Sequence, residues 1–171
     1  MRLYMKMTTS NQQVIKGDVT AKGHEGWIEI SSLRFGPDPP SSGGDGDGSG
    51  SGGTDDLKTP LFLPLEITKA HDGASAALFR ESSLGELMTV QIDFVAQDSS
   101  GNDLPPFPSI LLDGVVVASV NVKSSGNPPT EGLSLSFSKV TVADPTANPS
   151  DSGEGGDLYD HLAGQFYHGG P

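Results

Sequence analysis

The 171-residue chain has no cysteine, so no disulfide can staple it and no thiolate can ligate a metal. Basic residues are scarce: ten Lys and Arg stand against 22 Asp and Glu, and no two bases are adjacent. Without a basic cluster there is no electrostatic footprint for phosphate, which argues against a nucleic-acid binder. The apolar runs fall well short of the ~20 residues that a bilayer-spanning helix needs, so no membrane insertion is expected. Met1 to Met7 lacks the apolar stretch of a signal peptide, and synthesis in the cytosol without a cleaved leader is the expectation.

The net charge of −12 is unevenly spread. Residues 36–56 carry Asp38, Asp45, Asp47, Asp55 and Asp56, and residues 144–171 carry Asp144, Asp151, Glu154, Asp157 and Asp160, neither stretch with a base. Elsewhere 12 acids face 10 bases, so the acidity belongs to two appendages on a nearly neutral body. The expected organisation is one domain over 1–143, interrupted by an extended Gly/Ser/Pro-rich loop at 36–56, followed by a linker and tail over 144–171. The loop cannot bury enough apolar area to order itself. The tail, at 28 residues, is too small to build a core.

Period-2 alternation dominates the body. Met88-Thr89-Val90-Gln91-Ile92-Asp93-Phe94 is apolar at even positions, and Leu133-Ser134-Leu135-Ser136-Phe137 is apolar at odd ones. Val140 and Val142 then shift the phase, which predicts a bulge or bend near Lys139. Trp27 to Phe35 reads as a further strand, and Leu3 to Met7 and Leu61 to Thr68 as weaker ones. Pro60 and Pro64 confine the last to an edge or a late start. Val115 to Val122 is apolar at most positions, which predicts a strand covered on both faces. A single short helix is expected from the Asp72 N-cap to the Gly85 stop. The fold class is therefore mostly β: an antiparallel barrel or sandwich with one flanking helix. In the tail, Leu158, Leu162 and Phe166 recur at the spacing of one helix face.

No residue pattern makes a case for catalysis. The acids concentrate in segments where no burial would tune them, and the four histidines (His24, His71, His161, His168) form no ligand or nucleophile motif and are expected to be exposed. No cofactor is expected. Asp45, Asp47, Ser49 and Asp56 do match oxygen-ligand positions of an EF-hand calcium loop. Against this stand an Asp where the bidentate Glu belongs and prolines in place of helical flanks, so a solvated loop is the preferred reading.

Four stretches, in order, resemble the haemolysin-coregulated proteins (Hcp), tube subunits of type VI secretion systems. They are Leu3-Tyr4-Met5-Lys6-Met7 with Ile15-Lys16-Gly17-Asp18; His24-Glu25-Gly26-Trp27-Ile28-Glu29-Ile30 running on to Gly36; Leu65-Glu66-Ile67-Thr68-Lys69-Ala70-His71-Asp72-Gly73-Ala74-Ser75; and Pro129-Thr130-Glu131-Gly132-Leu133 running on to Val140. The acidic loop falls where that family has an extended loop between its second and third strands. The tail continues past a strand at which many relatives nearly stop.

The resemblance implies a barrel protomer that closes into a hexameric ring, with rings stacked into a hollow tube. A contractile sheath, a spike protein and small effectors are the implied partners, and export as an assembled tube the implied destination. In that setting Pro39, Pro40, Asp45, Asp47 and Asp55 are candidates for ring stacking. Val115, Val117, Val120 and Val122 are candidates for the subunit interface. Leu158, Tyr159, Leu162, Phe166 and Tyr167 are candidates for docking a partner. Alternatives are a tube of another contractile-injection or phage-like device, a free-standing filament, or a barrel binding module whose tail docks a partner.

Overall fold

The computed structural model describes residues 1–36, 63–106 and 108–143, with the backbone of 157–160 and 165–167. The strands are β1 (Arg2–Thr9), β2 (Val14–Ile15), β3 (Ile28–Ile30), β4 (Ser32–Arg34) and β5 (Leu65–Ala70). Helix α1 (Ser75–Leu84) follows, then β6 (Met88–Val95), β7 (Ser109–Lys123), β8 (Thr130–Ser136), β9 (Lys139–Ala143), β10 (Asp157–Asp160) and β11 (Gln165–Tyr167). Among the described residues the fold is mostly antiparallel β with one helix, as expected from the sequence.

Two antiparallel layers share strands that cross between them. One layer runs β11-β10-β9-β7-β6-β1-β2, with β3 also on β1; the other runs β7-β8-β5-β4. The Trp27–Phe35 stretch is not one strand but two. Ile28–Ile30 pairs with β1, then the chain turns at Ser31, whose N–H donates to Thr68 O at 2.7 Å, and Ser32–Arg34 pairs with β5. The wrap is thus barrel-like, carried round by chain continuity at Ser31 rather than by pairing alone.

β7 makes the second crossing. Ser109–Asp113 pairs with β6 and β9, while Val116–Lys123 pairs with β8. The change falls at Gly114, whose φ of +61° lies in the left-handed region that glycine tolerates best. A side chain there would also collide with Ser138 Oγ, which donates to Asp113 O at 3.0 Å. The phase shift expected near Lys139 is the counterpart of this corner. β8 ends at Ser136, buried Phe137 and Ser138 make the turn, and β9 starts in the other layer.

The core fills the space between the layers. Met5 and Met7 of β1, Ile28 and Ile30 of β3, Leu65 and Ile67 of β5, Val90 and Ile92 of β6, Leu112, Val115 and Val117 of β7, and Leu133 and Leu135 of β8 all point into it. Leu78 and Ala74 bring α1 against the same cluster, and burying one such Leu is worth about 1.5–3 kcal/mol. The late start predicted by Pro64 is seen, since β5 begins at Leu65, but β5 is a central strand between β4 and β8.

The helix stops where the sequence indicates: Gly85 adopts φ +66° and its N–H donates to Glu81 O at 3.0 Å. Its start differs from the expectation. The N-cap is Ala74, without a side-chain cap; Asp72 accepts the Ala74 N–H at 3.0 Å, and its other ties are to a buried lysine described below.

Two readings of apolar pattern are corrected. Val115 to Val122 is not apolar on two faces, because the β7–β8 register slips between Val117 and Ser119 and leaves Ala118 as an extra residue. The slip reverses the phase, so Val115, Val117 and Val120 share the inner face, while Val122, on the same side of the strand, is exposed beyond the core. The tail's run is not a helix: β10 and β11 form an antiparallel hairpin, and β10 adds to the edge of β9. The unpaired edge of β9 offers backbone partners along its length, whereas an isolated helix of this length is marginal.

Candidate assembly interface

Three large apolar side chains stand out from the surface around α1. Phe79 is 63% exposed, Leu84 58% and Leu87 59%. Leu78 and Glu81 occupy the buried side of the helix, so Phe79 and Leu84 are left facing outward by the same helical period that anchors it. Val122, at the far end of β7, is likewise exposed. β1, β6, β7 and β9 also present a shallow concavity of about 330 Å³, lined by Lys6, Thr8, Gln91, Leu111, Asp113 and Thr141 among others.

The interior holds two polar clusters. In the first, Lys69 is fully buried on the inner face of β5. Its ammonium reaches Asp72 Oδ1 at 2.7 Å and Glu131 Oε2 at 2.8 Å, and donates to Ala70 O at 2.7 Å. Glu131, on the neighbouring β8, also accepts from Ser75 Oγ at 2.8 Å and lies 2.6 Å from His71 Nδ1. Burial pushes the Glu131 carboxyl up, but the hydrogen bonds from Lys69, Ser75 and His71 outweigh it and hold the group below its ordinary value. The cluster ties the end of β5, the entry to α1 and the start of β8 to one point.

Because that folded value is depressed, Glu131 contributes stability that is fully present above the unfolded carboxylate range, at about pH 4.3, and lost as pH falls through the folded value. Acid titration followed by circular dichroism is expected to show stability declining below that range. The Glu131→Gln variant should be less stable at neutral pH and should have lost this part of the acid dependence. An unchanged acid slope would mean that other carboxylates govern it.

The second cluster pins the loop between β2 and β3 over the outer face of β1 and β6. His24 Nε2 lies 2.9 Å from Asp93 Oδ2, and the other Asp93 oxygen accepts from Ser109 Oγ at 2.7 Å and Gln91 Nε2 at 3.0 Å. The imidazole packs between Tyr4 (4.8 Å between centroids) and Trp27 (4.7 Å, edge-on). Tyr4 in turn donates to Asp103, and burial pushes its phenol up. His24 is thus buried, contrary to the expectation of exposed histidines, because the loop folds down onto β6. His71 has a 56% exposed side chain, yet it too is tied to a carboxylate. His161 and His168 lie outside the described residues.

The first cluster is tied internally by Lys69, Asp72, Ser75, His71 and Glu131, whereas in the second His24 Nδ1 is buried without a hydrogen-bond partner. No group of three metal-ligating side chains occurs among the described residues. No helix among them is long and apolar enough to cross a membrane. Sequence reasoning did not find Lys69, Glu131 or Asp93 as buried charges. The one available signal was Asp93 itself, though its place in the alternation of β6 assigns it to the outer face, where the covering loop is invisible from β6 alone.

The predicted site residues land as follows. Val115 and Val117 lie in the core and so offer no surface to another subunit. Val120 packs against the core, and only Val122 is freely exposed. Pro39, Pro40, Asp45, Asp47, Ser49, Asp55 and Asp56, hence both the stacking and the calcium proposals, lie outside the described residues. Leu158 and Tyr159 fall in β10, Phe166 and Tyr167 in β11, and Leu162 outside the described residues.

Residues 4–143 match the model of the family described as "Type VI secretion system effector, Hcp". Among solved structures, the Hcp1 protein of E. coli EAEC 042 is similar at a TM-score of 0.68 and 19% identity, over 86% of this chain and 93% of that one. Hcp1 from Salmonella typhimurium gives 0.66 and 18%, over 98% and 100%, an alignment long enough to take in the tail. The secreted protein Hcp3 from Pseudomonas aeruginosa gives 0.65 and 16%, over 86% and 92%. No curated protein matches the chain. The structural likeness shows a shared fold, and with the family model covering most of the sequence, the chain belongs to the Hcp family of type VI secretion proteins.

Proposed function

We propose that the protein is a structural subunit of a secretion tube: copies close into hexameric rings, the rings stack, and the hollow stack carries small effectors behind a spike, driven by a sheath. The observation that carries this reading is membership of the Hcp family over residues 4–143. The surface supports it. Phe79, Leu84, Leu87 and Val122 are large apolar side chains left in water, where a subunit interface would cover them. Heterologous contacts of one surface with a different one generate rings when the rotation closes. The role is mechanical rather than catalytic, in keeping with polar clusters that are spent on internal ties. Export takes place as the assembled tube.

Negative-stain electron microscopy of the purified protein, alongside its solution mass, tests this directly. Six-fold rings or tubes are expected. A monomer at micromolar concentration would overturn the reading and favour a binding module instead.

The acidic loop is proposed to join ring to ring, since residues 36–56 are rich in Gly, Ser, Pro and Asp and carry no base. Deleting Pro40–Asp55 is expected to spare the barrel and shorten or abolish tubes while single rings persist. Long tubes of unchanged length in micrographs would remove the loop from stacking.

A further inference from the structure

β9, β10 and β11 extend the first layer beyond the first half of β7 as a wing, of which Val140 on β9 still packs into the core. β10 lies antiparallel on β9 with Asp157 opposite Val142, Leu158 opposite Thr141, Tyr159 opposite Val140 and Asp160 opposite Lys139. The register is defined at four consecutive positions of each strand. An antiparallel return of this kind needs a connection of only about 2–5 residues. Here residues 144–156 intervene, an acidic Gly/Ser/Pro-containing run with no base. Fully extended, that run spans about 45 Å at roughly 3.3–3.6 Å per residue, far more than the turn back onto its own strand requires.

We propose that the β10–β11 hairpin is an exchangeable edge: in the assembled ring it seats on β9 of a second copy, linking each subunit to its neighbour. This inference rests on the tube reading above. The exchange keeps every backbone hydrogen bond of the wing, because the recipient edge is identical to the donor's own. Swapping an identical element between protomers is therefore a low-cost route to association. The surplus connection supplies the reach, and the Lys139–Asp160 register fixes the same alignment in either arrangement. A β9 edge covered by a neighbour's hairpin is also closed to indiscriminate strand addition.

The cysteine-free background makes the test simple. Two full-length double variants, T141C with L158C and V142C with D157C, place thiols at adjacent register pairs, one of which has the closer Cα spacing that alternates along an antiparallel ladder. Each is oxidised at the concentration used for microscopy and run on a non-reducing denaturing gel, with the native mass measured in parallel. Exchange predicts a ladder of covalent multimers from ring-sized material for at least one pair. Co-expressing the T141C and L158C single variants should likewise give a linked dimer that reducing agent dissolves. Ring-sized material that cross-links only within single chains, or at neither pair, overturns the exchange and leaves the tube reading intact. A monomeric native mass overturns both.

Discussion

Replacing Lys69 by Met is expected to lower stability by about 3–5 kcal/mol, the cost of removing one partner from a buried ion pair. The ammonium is fully buried and answers two carboxylates, Asp72 at 2.7 Å and Glu131 at 2.8 Å. Without it the buried Glu131 retains only Ser75 and His71. On a domain whose whole stability is about 5–15 kcal/mol, that is a drop in melting temperature on the order of 10 °C. The double variant Lys69→Met, Glu131→Gln should recover part of the loss, because the remaining amide no longer buries a charge. Thermal melts of the two proteins decide the matter. Equal losses in the single and double variants would show that the cluster is held by shape rather than by charge.

Gly114→Val comes second. The residue sits at φ +61°, where a left-handed backbone costs a side-chain-bearing residue about 1–2 kcal/mol. The new side chain would also displace Ser138 Oγ from Asp113 O, a bond worth about 1 kcal/mol. A total loss of about 2–4 kcal/mol is expected in urea unfolding. Gly114→Ala combined with Ser138→Gly relieves the collision but not the backbone strain, and should lie between the wild type and Gly114→Val. If the two variants are equally unstable, the strain alone controls the corner at which β7 changes layers.

How far the fold could be read from the sequence depended on whether the deciding interaction was local. The alternation of Met88–Phe94 and of Leu133–Phe137 is a property of consecutive residues, and both became strands with the expected inner face. Gly85 ended the helix because a left-handed C-cap needs nothing beyond its own turn. The valines of Val115–Val122 misled because one extra residue, Ala118, reverses the phase, and a bulge is set by the register of the partner strand. Trp27–Phe35 read as one strand because nothing in its side chains marks the turn at Ser31, which is fixed by Thr68 on β5. The family was legible in four stretches, and the family model spans the same part of the chain.

The polar interior was not legible, for the same reason. Lys69 and Glu131 lie 62 residues apart, and His24 and Asp93 lie 69 apart. A buried charge is tolerable only when its partner is present, so the lone residue in the sequence reads as a solvated one. The tail misled differently. Leu158, Leu162 and Phe166 have helical spacing, yet the waiting edge of β9 took the backbone into a strand pair first.

The pairing of β4 with β5 has a practical side. Arg34 stands directly opposite Glu66, so the chain leaves the sheet and re-enters it at neighbouring positions about 5 Å apart. Whatever is spliced between those two points need only have termini that lie close together, and its bulk would not prise β4 from β5. The site is therefore a natural graft point for a compact foreign domain. In a closed ring each subunit would present one such passenger at an equivalent position, giving a display with the symmetry of the ring itself.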